Sequence, residues 1–476
     1  MATLLWYRKD LRLTDHPALH AAIDRGEPVI PVFLWTPDDE GEWAPGEAHQ
    51  WYLHHSLDAL GEQLDAVGSK LIIRQGSSAL SVLRDLVEET GATAVYWSRH
   101  YTPPLSERDA TLSDALIEDG IEVQAHKGQL LFEPGDILTG NGDIYKVYTP
   151  FWKKLKSRQD EIADPLPSPT SIPAPGTWPE SAGLAGLDLL PTKDWAAQFT
   201  DYWIAGESDA QDRLDAFIRN GIEAYETDRD KPAIDGTSRL SPRFHLGELS
   251  PRYVWDQVRT YSGPGQRSKG VETFLKEIVW REFSYHLLYA HPETPLKPLK
   301  EKYEAFPWAE EYDAPLERWQ RGETGYPIVD AGMRQLWAVG WMHNRVRMIV
   351  ASFLIKDLLI PWQEGALWFW DCLVDADLAS NTQGWQWTAG SGADASPFFR
   401  VFNPVSQGER YDPNGDYVRE WVPELADLPK KLIHKPWEAT DRQLADAGIT
   451  LGDTYPEPMV NHAKARERAL EALKQI

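Results

Sequence analysis

Short apolar runs alternate with amphipathic stretches through the first 130 residues, and this alternation restricts the fold more than any other feature of the chain. Residues 4–6, 29–34, 71–73 and 94–97 read as buried strands, with 121–125 a weaker fifth. Residues 51–66 and 80–89 read as helices between them. Strands that alternate with helices require right-handed crossovers, so an α/β domain over 1–130 is expected, with a doubly wound, Rossmann-like parallel sheet. After the first strand come Tyr7-Arg8-Lys9-Asp10, where a dinucleotide-binding domain carries its glycine fingerprint. A conventional nicotinamide enzyme is therefore not expected.

At 476 residues the chain is too long for a single core. Pro165, Pro167, Pro169, Pro173, Pro175 and Pro179 punctuate one short stretch, which cannot hold a helix or a central strand. It reads as an extended connector, inside a linker over 131–200. Beyond residue 200, Gly and Pro breaks separate long helical patterns without strand alternation. The second domain, 201–476, is expected to be all-helical.

Composition narrows the function. The net charge of -25 argues against a positively coated surface, so nucleic-acid binding would need a local basic patch. Tryptophan occurs 22 times, above what packing usually demands, although most indoles are expected in the core. No apolar run reaches the length of a membrane span, and the N-terminus lacks the pattern of a signal peptide. One cysteine, Cys372, fits a reducing compartment, so a cytoplasmic protein is expected. No His, Cys and carboxylate cluster has metal spacing, and no metal is expected.

Three motifs carry chemistry. Residues 236–242 read Gly-Thr-Ser-Arg-Leu-Ser-Pro. Ser241 followed by Pro242 predicts a helix start with a capping hydroxyl. Thr237, Ser238, Arg239 and Ser241 would surround its positive end, a site suited to a pyrophosphate. On these residues alone a plain capped helix ranks ahead. Next, Glu277, Trp280 and Arg281 stand at i, i+3 and i+4, on one helix face. Trp341, Asn344, Arg345 and Met348 repeat that spacing on another predicted helix. Either face alone reads more simply as a core stripe with a solvated edge. Together they suit a pocket that stacks a base, hydrogen-bonds its edge and grips phosphate. Third, Asp375 and Asp377 precede Asn381, Trp385 and Trp387. On a helix the two indoles point about 200° apart, one toward a core or cofactor and the other toward a substrate cavity.

Longer motifs follow one another in a recognisable order. Residues 5–13 read Leu-Trp-Tyr-Arg-Lys-Asp-Leu-Arg-Leu, with Asp15 beyond, and 145–151 read Tyr-Lys-Val-Tyr-Thr-Pro-Phe. Then come 237–242, Trp-Arg-Glu-Phe at 280–283, 324–330, 341–348, Tyr-Pro-Glu-Pro at 455–458 and Val-Asn-His at 460–462. Over nearly its whole length the chain resembles the photolyase/cryptochrome family, and within it the class I cyclobutane pyrimidine dimer photolyases.

That resemblance implies a U-shaped FAD in the helical domain. Tyr225, Thr237, Ser238, Arg239, Leu240 and Ser241 would contact its phosphates and ribityl chain. Asp375 and Asp377 would lie near the isoalloxazine and ribityl groups, with Arg347 pairing Asp375 and Asn381 beside flavin N5. Glu277, Trp280, Asn344, Met348 and Trp387 would surround a flipped-out dimer. Arg281, Arg345 and Arg400 would reach DNA, with Arg229 and Lys231 as further rim cations. Trp385, Trp362 and Trp308 would form the tryptophan chain that reduces the flavin, with Tyr312 competing for the outer place. An antenna chromophore is implied, methenyltetrahydrofolate ahead of a deazaflavin or FMN, with Glu107 as its contact; an ordinary loop without pigment is the alternative.

The expected activity is light-dependent repair of pyrimidine dimers in UV-damaged DNA by a monomer. Asn-Arg-Val-Arg-Met at 344–348 resembles the form in cyclobutane-dimer photolyases, and that resemblance disfavours the (6-4) lesion as substrate. A cryptochrome light receptor and a non-catalytic flavin module are the rivals.

Overall fold

Five strands form where the apolar runs predict them: β1 (Thr3–Tyr7), β2 (Val29–Trp35), β3 (Ile72–Gln75), β4 (Ala94–Ser98) and β5 (Glu122–His126). All pair in parallel, in the order β3-β2-β1-β4-β5. The computed structural model describes the whole chain except Lys193, Pro264, Gln266, residues 396–398 and the Asp194 side chain. Helices α1 (Pro17–Asp24), α2 (Glu47–Ala66), α3 (Ala79–Thr90) and α4 (Pro103–Glu118) cover the sheet. Leu5 and Tyr7 of β1 pack with α1 and α2, whereas Leu4 and Trp6 pack with α3 and α4. A central parallel strand has both faces covered, which is why its sequence is a continuous apolar run.

The residues that stand where a glycine fingerprint would stand have another use. Leu11 N–H donates to the Leu246 carbonyl at 3.1 Å, and Arg12 donates to the Gly247 and Gly128 carbonyls at 2.8 and 2.9 Å. Glu207 accepts from Leu13 N–H at 2.6 Å, and Asp15 pairs with Arg252. Gly247 has φ +71°, and a Cβ there would lie 2.2 Å from the Lys9 carbonyl oxygen, so only glycine fits. The segment after β1 thus docks the α/β domain onto the helical one.

The proline-rich connector is extended, as its composition predicts, and is pinned to the α/β domain. Asp15 N–H donates to Leu166 and Val29 N–H to Pro173, both at 2.8 Å. Upstream of it, α5 (Tyr148–Ser157) buries Tyr148, Phe151 and Trp152 among Trp255, Phe274 and Phe283 of the helical region.

Beyond residue 200 the described chain is helical, apart from an isolated bridge between Leu451 and Tyr455. Six of these helices matter for the site: α6 (Tyr225–Asp228), α7 (Ser241–His245), α8 (Lys269–Ala290), α9 (Asn344–Ser352), α10 (Trp362–Cys372) and α11 (Leu378–Ala389). A π-helical turn, Phe353–Asp357, extends α9. No helix among the described residues is long and apolar enough to cross a membrane.

Candidate cofactor and substrate cavity

The helical domain encloses a cavity of about 770 Å³, inside the roughly 300–1,000 Å³ range of cofactor and ligand sites. Its first wall is the turn entering α7. Arg239 there has φ +54°, and Ser241 is the first helical residue behind an N-cap at Leu240. Ser241 therefore does not cap the helix, contrary to the expectation from Ser-Pro. Its side chain lines the cavity with those of Thr237, Ser238, Arg239 and Leu240. Arg213 holds this turn from behind, donating to the Thr237 and Ser238 carbonyls at 3.0 and 2.9 Å.

Helix α8 contributes Glu277, Trp280 and Arg281 together, as their spacing predicts. Glu277 accepts a short hydrogen bond from Arg229. Burial raises the Glu277 pKa, and the Arg229 guanidinium opposes that rise. Tyr148 stacks on the Trp280 ring. Arg281 donates to the Gln129 carbonyl at 2.7 Å and covers the Tyr285 ring.

Asn344, Arg347 and Met348 reach the cavity from α9. The His343 ring caps this helix by accepting from Arg345 N–H at 3.1 Å. Burial lowers the His343 pKa to about 4, which keeps the imidazole neutral and able to accept. Because α9 starts at Asn344, Trp341 is not part of the predicted helical face; it lines the cavity from the preceding turn. Arg345 departs from expectation too. Its guanidinium lies against Asp230 at 2.7 Å and is not among the residues lining the cavity.

Asp377 is the N-cap of α11, accepting from Ser380 N–H at 2.8 Å and from the Tyr285 hydroxyl. Asp375 takes both oxygens to Arg347, at 3.1 and 2.9 Å. Asn381 donates to the Ala366 carbonyl at 3.0 Å, which leaves its amide oxygen for a ligand. Trp385 and Trp387 both line this cavity. Trp385 is buried against Trp319 and Phe369, while Trp387 is half-buried beside Arg400, another lining residue.

The cavity also recruits residues that the motifs did not single out. Gln383 accepts from the Ser284 hydroxyl at 2.5 Å, while its buried Nε2 has no protein partner among the described residues. It stands four residues before Trp387, and that spacing was the available signal. His245 lines the wall and meets the α2 residue His49 at 3.0 Å. Five of the anticipated residues are outside this lining. Trp362 is buried at the start of α10, and Trp308 is half-buried against Phe306. Tyr312 donates to Glu364 at 3.0 Å. Glu107 is exposed on α4, and Arg345 is tied to Asp230.

A parallel α/β domain docked on a helical domain with one deep, hydroxyl- and indole-lined cavity defines a two-domain cofactor-binding protein. The chain belongs to the photolyase/cryptochrome family: residues 3–172 match the family described as DNA photolyase, and 274–475 match the FAD binding domain of DNA photolyase. It is 52% identical over 474 residues to a deoxyribodipyrimidine photo-lyase of Agrobacterium fabrum, covering 99% of this chain and 98% of that one. It is 39% identical over 483 residues to cryptochrome-2 of Arabidopsis thaliana, covering 99% and 79%. The crystal structure of a bacterial class III photolyase from Agrobacterium tumefaciens superposes with a TM-score of 0.95 at 51% identity, covering 100% and 97%. The expected likeness to class I is accordingly replaced by likeness to a class III structure.

The residues present fit an FAD. The volume suffices, three hydroxyls and Arg239 stand at one turn, and Gln383, whose Nε2 has no protein partner among the described residues, lines the same cavity.

Proposed function

We propose that this protein repairs cyclobutane pyrimidine dimers in DNA under light. The observation that carries this reading is one continuous cavity lined at once by the 237–241 turn and by Glu277, Trp280, Asn344, Met348 and Trp387. A reduced FAD bound there would supply the light-driven electron that splits the dimer, and would take it back afterwards.

The chain's own residues do the rest. Thr237, Ser238, Arg239 and Ser241 bind the pyrophosphate with hydroxyl and guanidinium donors, and Tyr225 and Leu240 close that end. Arg347 holds the Asp375 carboxylate in place, and Asp377 orients the ribityl end from the α11 cap. Asn381 would offer its neutral amide to the flavin ring, which suits a reduced, anionic form. Trp280 and Trp387 sandwich the flipped bases, Glu277 and Asn344 hydrogen-bond their edges, and Met348 packs beneath. Low local dielectric strengthens each of these contacts. Arg281, Arg345 and Arg400 grip flanking phosphates. Trp385, Trp362 and Trp308 carry electrons inward from the surface, with Tyr312 the rival outer relay. The 1–130 domain holds an antenna pigment, methenyltetrahydrofolate near Glu107, the 131–200 linker joins it to the 201–476 catalytic domain, and the protein acts as a cytoplasmic monomer.

The test is illumination of the flavin-loaded protein with an oligonucleotide carrying one thymine dimer, following the absorbance of restored thymines. Recovery supports repair. Intact dimers beside a light-responsive flavin would mean a cryptochrome-type receptor, a reading favoured by the similarity to cryptochrome-2.

A further inference from the structure

We infer that Asp230 determines how weakly this protein holds undamaged DNA, by keeping Arg345 in an ion pair that a backbone phosphate must displace; the inference rests on the DNA-repair reading above. Arg345 Nη2 lies 2.7 Å from Asp230 Oδ1. The same guanidinium covers the Tyr411 ring, 4.5 Å from its centroid, and Nη1 reaches Met348 Sδ at 3.7 Å. Asp230 follows Arg229 in sequence and Arg345 follows Asn344, and Arg229 and Asn344 both line the cavity. The pair therefore ties the 225–230 wall to the start of α9 at the cavity's edge. Its side chains are 37% and 20% exposed for Asp230 and Arg345, so solvent ions and a phosphate can reach it.

The neighbouring cations are engaged in the same way. Arg229 is bound to Glu277, and Lys231 lies 2.8 Å from Asp228. Each of these three cations thus already carries a carboxylate, on a chain whose net charge is -25.

Displacement has a definite ionic balance. When a phosphate takes Arg345, the DNA releases close to one condensed counterion. Asp230, left without its partner, takes up a cation from solution. The two nearly cancel, so general affinity for duplex is low and only weakly salt-dependent at this contact. A lesion that flips into the cavity adds stacking and hydrogen bonds that plain duplex cannot offer. The cost of freeing Arg345 falls on both complexes, and only the lesion complex has these added contacts to offset it.

The experiment compares the flavin-loaded full chain with Asp230→Asn, Arg345→Gln and the double variant, kept in the dark. Fluorescence anisotropy reads binding to a duplex with one thymine dimer and to the same duplex undamaged, across a KCl series. Asp230→Asn is expected to bind undamaged duplex about two- to fivefold more tightly, the range for loss of one exposed ion pair. Its log affinity should fall about one unit more steeply per log unit of salt. Arg345→Gln should weaken both duplexes, and the double variant should lose the gain seen with Asp230→Asn. The inference is overturned if Asp230→Asn leaves affinity and salt slope unchanged, if it weakens binding, or if the gain survives without Arg345. A parent protein with no preference for the dimer-bearing duplex would overturn the repair reading and this inference with it. Preference in the parent alongside an unresponsive Asp230→Asn overturns this inference alone.

Discussion

The Trp280 indole lies flat on the Tyr148 ring, with centroids 3.6 Å apart and planes within 7° of each other. Tyr148 belongs to α5, in the segment between the two domains, and its hydroxyl donates to the Lys276 carbonyl at 2.6 Å. Trp280 therefore offers a ligand one face while the other is fixed from behind. An aromatic pair is worth about 0.5–1.5 kcal/mol beyond buried area. Tyr148→Ala is expected to weaken dimer binding about two- to tenfold while flavin content stays normal. Tyr148→Phe should retain the stack and the affinity. Equal losses in both variants, read by anisotropy with the dimer duplex, would contradict the stacking role.

Glu277 meets Arg229 in the cavity wall, and burial pushes its carboxyl upward in pKa. Removing a group aimed at developing charge typically costs a hundredfold or more in rate. Glu277→Ala is expected to keep its flavin and to lose repair yield by about tenfold or more. The check is thymine recovery per absorbed photon, measured beside the flavin spectrum of the same sample. Undiminished yield would remove Glu277 from the mechanism.

Arg347 and Asp375 lie on different elements and meet in the cavity wall, where the aspartate side chain is 3% exposed. Deleting one partner of a buried pair costs roughly 3–5 kcal/mol, because the other charge stays behind without compensation. Arg347→Ala should therefore lower both thermal stability and flavin retention. Arg347→Ala with Asp375→Asn should recover much of the stability but not the flavin. Calorimetry and flavin absorbance separate the two effects; joint recovery of both would leave the pair a purely structural role.

Local signals were enough to read the sheet, because a strand covered on both faces writes itself as an unbroken apolar run such as 29–34. They were enough for α8 as well, since Glu277, Trp280 and Arg281 are neighbours by helical geometry alone. Ser241 misled because a Ser-Pro pair fits both the cap and the first turn, and the left-handed Arg239 moved the helix start by one residue. Trp341 misled likewise, since periodicity runs through a helix start that His343 imposes. What no window could supply were partners distant in sequence. Tyr148 behind Trp280, Asp230 on Arg345 and Gln383 on Ser284 each depend on how separate segments meet.

Lys356 lies in the π-helical turn, 4% exposed, and donates to the Arg400 carbonyl beside Trp387. Burial lowers its pKa to about 7, against the opposing pull of Asp357, which itself bonds His462 at 2.6 Å. The folded pKa lies below that of an unfolded lysine, so the folded chain binds fewer protons between about pH 7 and pH 10. The penalty is fully present below pH 7 and fades as pH rises through that window. Stability should thus gain on the order of a few kcal/mol from this one group across the window. Lys356→Met, compared by urea unfolding from pH 7 to pH 10, should show a pH slope shallower by about one proton. Parallel slopes would mean that Lys356 titrates normally.

Gly365 of α10 touches the face of Trp385 so closely that an added Cβ would lie 2.0–2.6 Å from three ring carbons. Nothing flexible can yield there, because the indole is held by Trp319 and Phe369, with centroids 6.3 and 5.0 Å away. Gly365→Ala must therefore push Trp385 toward the cavity, at a cost of about 1–3 kcal/mol for an overpacked core. The variant is expected to be less stable and to reduce its flavin more slowly in light with an external thiol. Trp385→Phe in the same chain makes room for the methyl group, so the double variant should regain stability. If Trp385 is the inner relay, light-driven flavin reduction should stay lost in that double variant. Recovery of photoreduction along with stability would instead show that electrons reach the cavity by a route that bypasses Trp385.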